Sequence, residues 1–404
     1  MDDEDDAAPI TPDFYPYVWH PLVRAERRDD GFVVVAWADG RDLPCYSLWL
    51  AENAPGLGLE PASRESTIDP GQLPAPDSLR TAEVGPRGEL VLRWTDGSCS
   101  SIHPGWLRHV ADARHLPGSY LPAREYWTAA TFAEPPSLDG STVMEDDSVL
   151  VEWLMLLCRF GLARLRNVPA TEGFLHELIE RIGPIRGSNF GKIFSVRSIV
   201  DPDSTAYTGL NLGQHTDLPT RETPPGYQFL HCVENTVAGG WSRMTDGLAV
   251  VAELQTRYAD DYDALTTLDW VWFNRQRDED HRWIGPVIDH GSRYQPLGIR
   301  AFYPVRGFPH MASADVPRAY TALRRFSAVA HDPRFQIRYP FTPGDVVGFD
   351  NRQILHGRDA FDTGDDGPDD GNRGGGSRFL RGCYLDQDDL YSRLRVLRRR
   401  QATA

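Results

Sequence analysis

The tripeptide His215-Thr216-Asp217 sets an imidazole and a carboxylate two residues apart, directly after an alternating run at 207–212. Side chains two apart on a β-strand point to the same side of the sheet. We therefore predict that His215 and Asp217 face one point in space. A nitrogen and an oxygen donor together suit a divalent metal ion. A lone His-x-Asp is frequent by chance, so the prediction depends on further ligands.

A second histidine, His356, follows the turn at 343–345 and the apolar run at 346–349. Two histidines and one carboxylate form the three-ligand face of non-haem iron sites, which leaves positions open for a co-substrate and oxygen. Beyond His356 lie a Gly/Asp-rich tract at 362–377 and Arg378, which precedes a strand-like run. An arginine there suits a bidentate pair with the far carboxylate of a keto acid.

Composition narrows the class of protein. The 404 residues are 41% hydrophobic, which supports a sizeable core and allows two domains. A net charge of −16 without a basic stripe argues against nucleic acid and anionic membranes as partners. The 5 cysteines are scattered and form no Cys-x-x-Cys, which indicates reduced thiols. With no signal peptide or membrane span in the sequence, we expect a cytoplasmic protein.

The order of elements predicts an α+β fold. An acidic tail at 1–19 precedes a small β-rich domain at 20–115, where two strands at 31–37 and 88–94 each end in Asp-Gly. Helices are predicted at 148–160, 171–182 (capped by Thr171), 246–258 and 315–329, and strands at 193–196, 207–212, 227–232, 346–349 and 379–384. The strands lie near the candidate ligands, which favours an antiparallel barrel or jelly roll over 120–404, with a flexible loop at 362–377.

Several segments together resemble the γ-butyrobetaine dioxygenase and trimethyllysine dioxygenase family, part of the taurine-dioxygenase-like group of oxygenases. They are 215–219, 225–232, 351–358, 381–384 and 392–397, and the resemblance runs in order from about residue 20 to the C-terminus. It implies a double-stranded β-helix behind a small N-terminal β domain. It also implies Fe(II), 2-oxoglutarate and O2 as cofactor and co-substrates, ascorbate as activator, a small-molecule substrate and a homodimer.

The resemblance assigns the metal and co-substrate residues. The positions that match the iron ligands are His215, Asp217 and His356. Arg378 matches the arginine that pairs with the distal carboxylate of 2-oxoglutarate, and Ser242 is a second candidate contact. The long insertion after His356 leaves Arg381 and Arg373 as alternatives to Arg378.

The resemblance also outlines a substrate pocket. The positions that match the family's aromatic cage are Phe190, Phe194, Tyr207 and Tyr384. The first two are phenylalanine where the butyrobetaine enzyme has tyrosine and tryptophan, and phenylalanine attracts cations less strongly than tryptophan. Ser204 stands where an asparagine is expected to receive the substrate carboxylate. A less charged or more apolar head group is therefore favoured, and a plain core role for Phe190 and Phe194 stays open.

The family's N-terminal zinc site is altered here. The segment 49–57 lacks the cysteine cluster, and Ser98 replaces the histidine ligand. Because a tetrahedral zinc site needs nitrogen and sulfur ligands, we predict no structural zinc. Cys45, Cys99 and His103 are the one alternative set.

These inferences favour hydroxylation of an unactivated C–H bond in a small amine- or ammonium-bearing molecule. Asp217 is relevant because related halogenases lack the carboxylate, which frees a position for chloride. One alternative is a tailoring oxygenase of secondary metabolism that hydroxylates, desaturates or cyclises another substrate. The other is a non-catalytic ligand-binding protein on the same scaffold.

Overall fold

A computed structural model describes residues 8–113, 121–197, 209–274, 279–290, 297–361 and 377–403 of the chain. The chain divides into two compact units, residues 1–119 with 399–404, and residues 120–398. None of the described helices is long and apolar enough to cross a lipid bilayer.

The first unit contains two three-stranded antiparallel sheets, in the orders β1-β2-β3 and β4-β5-β6. Its elements are β1 Leu22–Arg27, β2 Phe32–Trp37, β3 Asp42–Tyr46, α1 Ser47–Glu52, β4 Leu79–Val84, β5 Leu90–Trp94, β6 Cys99–Ile102 and α2 Pro104–Ala113. The predicted strands at 31–37 and 88–94 are confirmed as β2 and β5. Gly40 and Gly97 follow them with positive φ, the conformation that an Asp-Gly hairpin turn requires.

The second unit is built on two sheets that share one apolar core. The six-stranded sheet has the order β7-β8-β19-β11-β21-β9, and the four-stranded sheet has the order β10-β20-β12-β18. Their strands are β7 Ser137–Asp139, β8 Leu162–Arg166, β9 Ile193–Val196, β10 Leu212–His215, β11 Tyr227–Asn235, β12 Ser242–Asp246, β18 Gln336–Tyr339, β19 Val346–Asp350, β20 Ile354–Arg358 and β21 Arg378–Leu385. Leu230 and Phe349 of the first sheet pack with Met244 and Ile337 of the second.

Helices and smaller sheets complete this unit. Three helices, α3 Asp147–Phe160, α4 Phe174–Glu180 and α8 Gln387–Thr403, share a core with the six-stranded sheet. Helices α5 Gly247–Arg257, α6 Ala259–Thr267 and α7 Val316–Ala330 form another core, joined by strands from the two smaller sheets. The remaining strands are β13 Asp269–Phe273, β14 Arg282–Gly285, β15 Ile288–Asp289, β16 Gly298–Ile299 and β17 Arg306–His310, and they form the two smaller sheets, β14-β13-β17 and β15-β16.

Most predicted elements of this unit are confirmed within one to three residues, and two predictions need correction. The helix predicted at 171–182 begins at Phe174, so Thr171 is not its cap, and Gly173 occupies that position without a side-chain bond. The strand predicted at 207–212 is also wrong in its bounds, because β10 begins at Leu212 and ends at His215. The predicted flexible loop lies, apart from Ser377, outside the described residues.

Leu157 of α3 is fully buried against the six-stranded sheet. We expect Leu157→Ala to lower the free energy of unfolding by about 2–5 kcal/mol, because it removes buried apolar surface and leaves a cavity. Phe308→Ala is the control, since that ring is 68% exposed and its loss should change stability by no more than about 0.5 kcal/mol. Denaturant unfolding of both variants tests this, and equal losses would contradict the described packing.

Candidate active site

The structure brings together the three predicted ligand side chains. His215 at the end of β10 pairs directly with His356 of β20, and the two rings lie 4.1 Å apart. Asp217 Oδ1 lies 3.2 Å from His215 Nε2 and 3.7 Å from His356 Nε2. Among the described residues, these side chains form the only group of three or more histidine, cysteine or acidic residues that offers ligand atoms within 4.8 Å of one another.

Asp217 reaches the cluster from a turn and not from a strand, which corrects the alternation argument. The strand ends at His215, and Leu218 adopts a φ of 52°. Thr216 anchors the turn: its N–H donates to Ala301 O at 2.8 Å, and its Oγ1 accepts the Ala301 N–H at 3.0 Å. The convergence of Asp217 with His215 therefore depends on this anchored turn.

The protonation states suit metal binding. His215 Nδ1 lies 2.9 Å from Gly213 O and donates to it, which leaves Nε2 as the nitrogen that faces Asp217. Burial, and then the neighbouring His215, lower the pKa of His356 to about 3, which keeps this ring neutral. Burial would raise the pKa of Asp217, but the two histidines hold it well below its usual value. Two imidazole nitrogens and one carboxylate oxygen are the donor set that suits Fe(II).

Two side chains hold Asp217 in place. The Tyr384 hydroxyl donates to Asp217 Oδ2 at 2.7 Å. Asn351 Oδ1 accepts the Asp217 N–H at 2.6 Å, and Asn351 Nδ2 donates to the carbonyl oxygens of Asp217 and Pro225 at 3.0 and 3.3 Å. Asn351 was missed by the sequence analysis because its role is to bind backbone atoms 134 residues away.

Arg378 opens β21 and is buried, with 6% of its surface exposed. Its guanidinium makes no hydrogen bond or ion pair with a described residue, and it lies over the Phe361 ring at 5.7 Å. Burial lowers the pKa of Arg378 to about 10, so the group is charged at neutral pH. A buried cation of this kind is costly without an anion beside it, so the position suits the carboxylate of an anionic ligand.

Arg358 is a second buried guanidinium, which the sequence analysis did not select. It lies over the same Phe361 ring at 4.7 Å and pairs across the sheet with Ser242, which is also buried. Burial, and then the charge of Arg378, lower the pKa of Arg358 to about 10. The sequence did contain a signal for Arg358 as a site residue, because Arg358 follows His356 by two residues on β20 and therefore points to the same side of the sheet.

The other candidate arginines are not equivalent to Arg378. Arg381 lies on the same strand, but its Nη1 donates to Ser195 Oγ at 2.7 Å, so it already has a partner. Three predicted site residues lie outside the described residues: Arg373, Tyr207 and Ser204.

Three of the four predicted cage rings are adjacent. The Phe194 ring lies 6.0 Å from that of Phe190 and 5.1 Å from that of Tyr384. Gly382 makes room for this arrangement, since it pairs with Phe194 across the sheet, and a Cβ there would approach the Phe194 ring to 2.3 Å. The rings thus form an apolar cluster, in which Phe194 and Tyr384 are buried, and Tyr384 connects this cluster to the Asp217 carboxylate.

The alternative zinc ligands are not brought together. His103 Nδ1 accepts the N–H groups of Gly105 and Trp106 at 3.1 and 3.3 Å, so it caps α2. Cys45 is buried, and burial raises the pKa of its thiol to about 12. Within the described part of the chain, Cys45, Cys99 and His103 form no metal-ligand group.

Comparison with known proteins identifies the family to which this chain belongs. Residues 120–384 match the family described as taurine catabolism dioxygenase TauD, TfdA family. The chain is 39% identical over 383 residues to γ-butyrobetaine dioxygenase of Pseudomonas sp. (strain AK-1), a match that covers 94% of this chain and 97% of that protein. It is 27% identical over 403 residues to the Homo sapiens γ-butyrobetaine dioxygenase, with 94% and 98% covered. Mouse (Mus musculus) mitochondrial trimethyllysine dioxygenase is 26% identical over 317 residues, with 76% and 72% covered.

The chain therefore belongs to the TauD, TfdA family of dioxygenases. Within that family it falls in the group of γ-butyrobetaine and trimethyllysine dioxygenases, and it is an Fe(II)- and 2-oxoglutarate-dependent dioxygenase.

Asn351 allows a test of how the turn supports metal binding. We expect Asn351→Ala to weaken Co(II) binding by about 10- to 100-fold, because the Asp217 backbone loses its restraint. Gln387→Ala is the control, since it removes a 3.1 Å bond to the adjacent Asp350 that does not involve Asp217. Co(II) titration measures metal binding, and melting of the metal-free proteins measures their stability, so the two experiments separate weaker metal binding from a general loss of stability. Equal weakening in both variants would contradict a specific role of Asn351.

Proposed function

We propose that this enzyme hydroxylates an unactivated C–H bond of a small, butyrobetaine-like molecule that bears an amine or ammonium group. The observation that carries the proposal is the convergence of two histidine Nε2 atoms and Asp217 Oδ1 in the same unit as Arg378, which is buried and has no ion-pair partner within the described ranges. Membership of the dioxygenase family supports the reaction type.

Iron would be held by His215, Asp217 and His356. When bound with 2-oxoglutarate and oxygen, it supplies the oxidant that removes hydrogen from a C–H bond. The protein keeps His356 neutral by burial and keeps Asp217 ionised beside the histidines. Because Asp217 fills the third protein position, no place is freed for a halide, and hydroxylation is favoured over halogenation.

Arg378 would pair with the distal carboxylate of 2-oxoglutarate, with Ser242 adding a hydroxyl. The charge of Arg378 is buried and has no ion-pair partner among the described residues, so a bidentate carboxylate would stabilise it. Arg358 adds a second positive charge near the same Phe361 ring. Together these groups favour a dicarboxylate over a neutral ligand.

The substrate would bind against Phe190, Phe194 and Tyr384, with Tyr207 and Ser204 as further proposed contacts. The adjacency of the first three rings supports this, as does the similarity to a γ-butyrobetaine dioxygenase. Phenylalanine at 190 and 194 weakens cation–π attraction. A second candidate is therefore a tailoring oxygenase whose substrate has a less charged head, with hydroxylation, desaturation or cyclisation as the outcome. A non-catalytic protein is disfavoured because all three ligands and Arg378 are present.

We also infer that the two central sheets form the double-stranded β-helix, or jelly roll, of the family. Their shared core supports this, as do the ligands His215 and His356 on paired strands of the smaller sheet.

We propose a cytoplasmic homodimer with ascorbate as activator and no zinc in the N-terminal unit. Free cysteines support the compartment, and the capping role of His103 supports the absence of zinc. Light scattering of the purified protein and metal analysis after chelation test the assembly and the zinc content.

The co-substrate assignment predicts a difference between two arginines on one strand. Arg378→Met should raise the KM for 2-oxoglutarate by at least about 10-fold, since a charge-assisted bond worth about 1.5–3 kcal/mol is lost. Arg381→Met should change it little, because Arg381 binds Ser195. Succinate formation across a range of 2-oxoglutarate concentrations tests both, and the reverse order would assign the site to Arg381.

The head-group assignment predicts how the enzyme treats two isosteres. γ-Butyrobetaine and 5,5-dimethylhexanoate differ only in a quaternary nitrogen or carbon. If cation–π attraction dominates, γ-butyrobetaine, with its charged head group, should give the higher kcat/KM, by about 2- to 30-fold for 0.5–2 kcal/mol. Product detection by mass spectrometry measures this. Preference for 5,5-dimethylhexanoate, whose head group is uncharged, would support the tailoring alternative.

A further inference from the structure

Tyr384 contacts both the predicted cage rings and the cluster of predicted metal ligands. Its ring lies 5.1 Å from that of Phe194, and its hydroxyl is 2.7 Å from Asp217 Oδ2. A carboxylate can only accept, so Tyr384 donates this bond. The side chain predicted as a wall of the substrate pocket is thus also a partner of a predicted iron ligand.

We propose that Tyr384 is a positioning residue that couples substrate binding to metal affinity, an inference that rests on the proposed function. A carboxylate can rotate about its Cβ–Cγ bond, since this terminal torsion is broad. The bond from Tyr384 to Oδ2 restricts that rotation and leaves Oδ1 toward the two Nε2 atoms, at 3.2 and 3.7 Å. A bond to an ionised acceptor is stronger than one between neutral groups.

The backbone of Tyr384 is fixed, so the position of its hydroxyl depends on the ring. Tyr384 pairs with Gln228 inside the six-stranded sheet, and its carbonyl accepts the Arg186 N–H at 2.9 Å. The ring is rigid, and only its side-chain torsions move the hydroxyl. A substrate packed on the ring restricts those torsions and so favours the bond to Asp217.

Coupling of this kind acts in both directions. If substrate tightens metal binding, metal must tighten substrate binding by the same factor. The coupling requires the hydroxyl, whereas the apolar contact with substrate requires only the ring. Tyr384→Phe keeps the ring and removes the hydroxyl, so it separates the two roles.

The experiment measures Co(II) affinity under anaerobic conditions with 2-oxoglutarate present, with and without γ-butyrobetaine. In the wild-type enzyme we expect γ-butyrobetaine to tighten Co(II) binding several-fold, within the range of about 5–150-fold typical of coupled sites. Tyr384→Phe should bind Co(II) about 10- to 100-fold more weakly without the betaine, and the betaine should no longer tighten it.

Tyr227→Phe is the matched control, because it also removes a buried tyrosine hydroxyl, one that lies 3.5 Å from Leu157 O and not beside Asp217. It should leave Co(II) affinity without substrate within about 3-fold of wild type, below the 10-fold that 1.4 kcal/mol represents. Unchanged Co(II) affinity in Tyr384→Phe, or an equal loss in Tyr227→Phe, would overturn the inference.

A wrong proposed function and a wrong role for Tyr384 give different results in this experiment. If the wild-type enzyme does not bind γ-butyrobetaine, the proposed substrate class is wrong. The Co(II) affinities of wild type and Tyr384→Phe, measured without substrate, then decide the positioning role alone. If the metal-free variants have the same melting temperature as the metal-free wild type, a general loss of folding does not explain the difference in Co(II) affinity.

Discussion

The convergence of Asp217 on His215 and His356 is the interaction on which the rest of the site depends. A carboxylate that is largely removed from water stays ionised only if nearby groups favour its charge. Here the histidines lie within 3.7 Å of one carboxylate oxygen, and Tyr384 donates to the other. Without a cation, this arrangement places one negative charge in a poorly solvated position, which is why it favours a divalent ion.

The two sheets contribute different residues to this site. The four-stranded sheet carries both histidines on paired strands, together with Ser242 and Arg358 on β12 and β20. The six-stranded sheet supplies Arg378 and Tyr384 from the two ends of β21. Because strands are rigid along their length, a single strand can present the buried Arg378 at one end and the partner of Asp217 at the other.

Sequence reasoning succeeded where a local pattern reports a local property. The apolar runs that became β11, β19 and β21 were recognisable because each is bounded by turn residues. The strand prediction failed for β10, because the alternating pattern at 207–212 ends at Leu212, where β10 begins, and therefore placed the strand several residues too early. Sequence reasoning also missed Asn351, whose partners Asp217 and Pro225 are 134 and 126 residues distant. Arg358 was missed although strand periodicity pointed to it.

The sequence by itself determined the family, and it predicted the metal-ligand set and the arginine for a keto acid, because each depends on residue types in short segments. Only the tertiary structure decided how Asp217 reaches the histidines, since Leu218 bends the chain and Asn351 and Thr216 hold the turn. It also decided that Tyr384 contacts Asp217 and Phe194 together. Contacts between distant segments arise only when strands pair, and no local pattern encodes them.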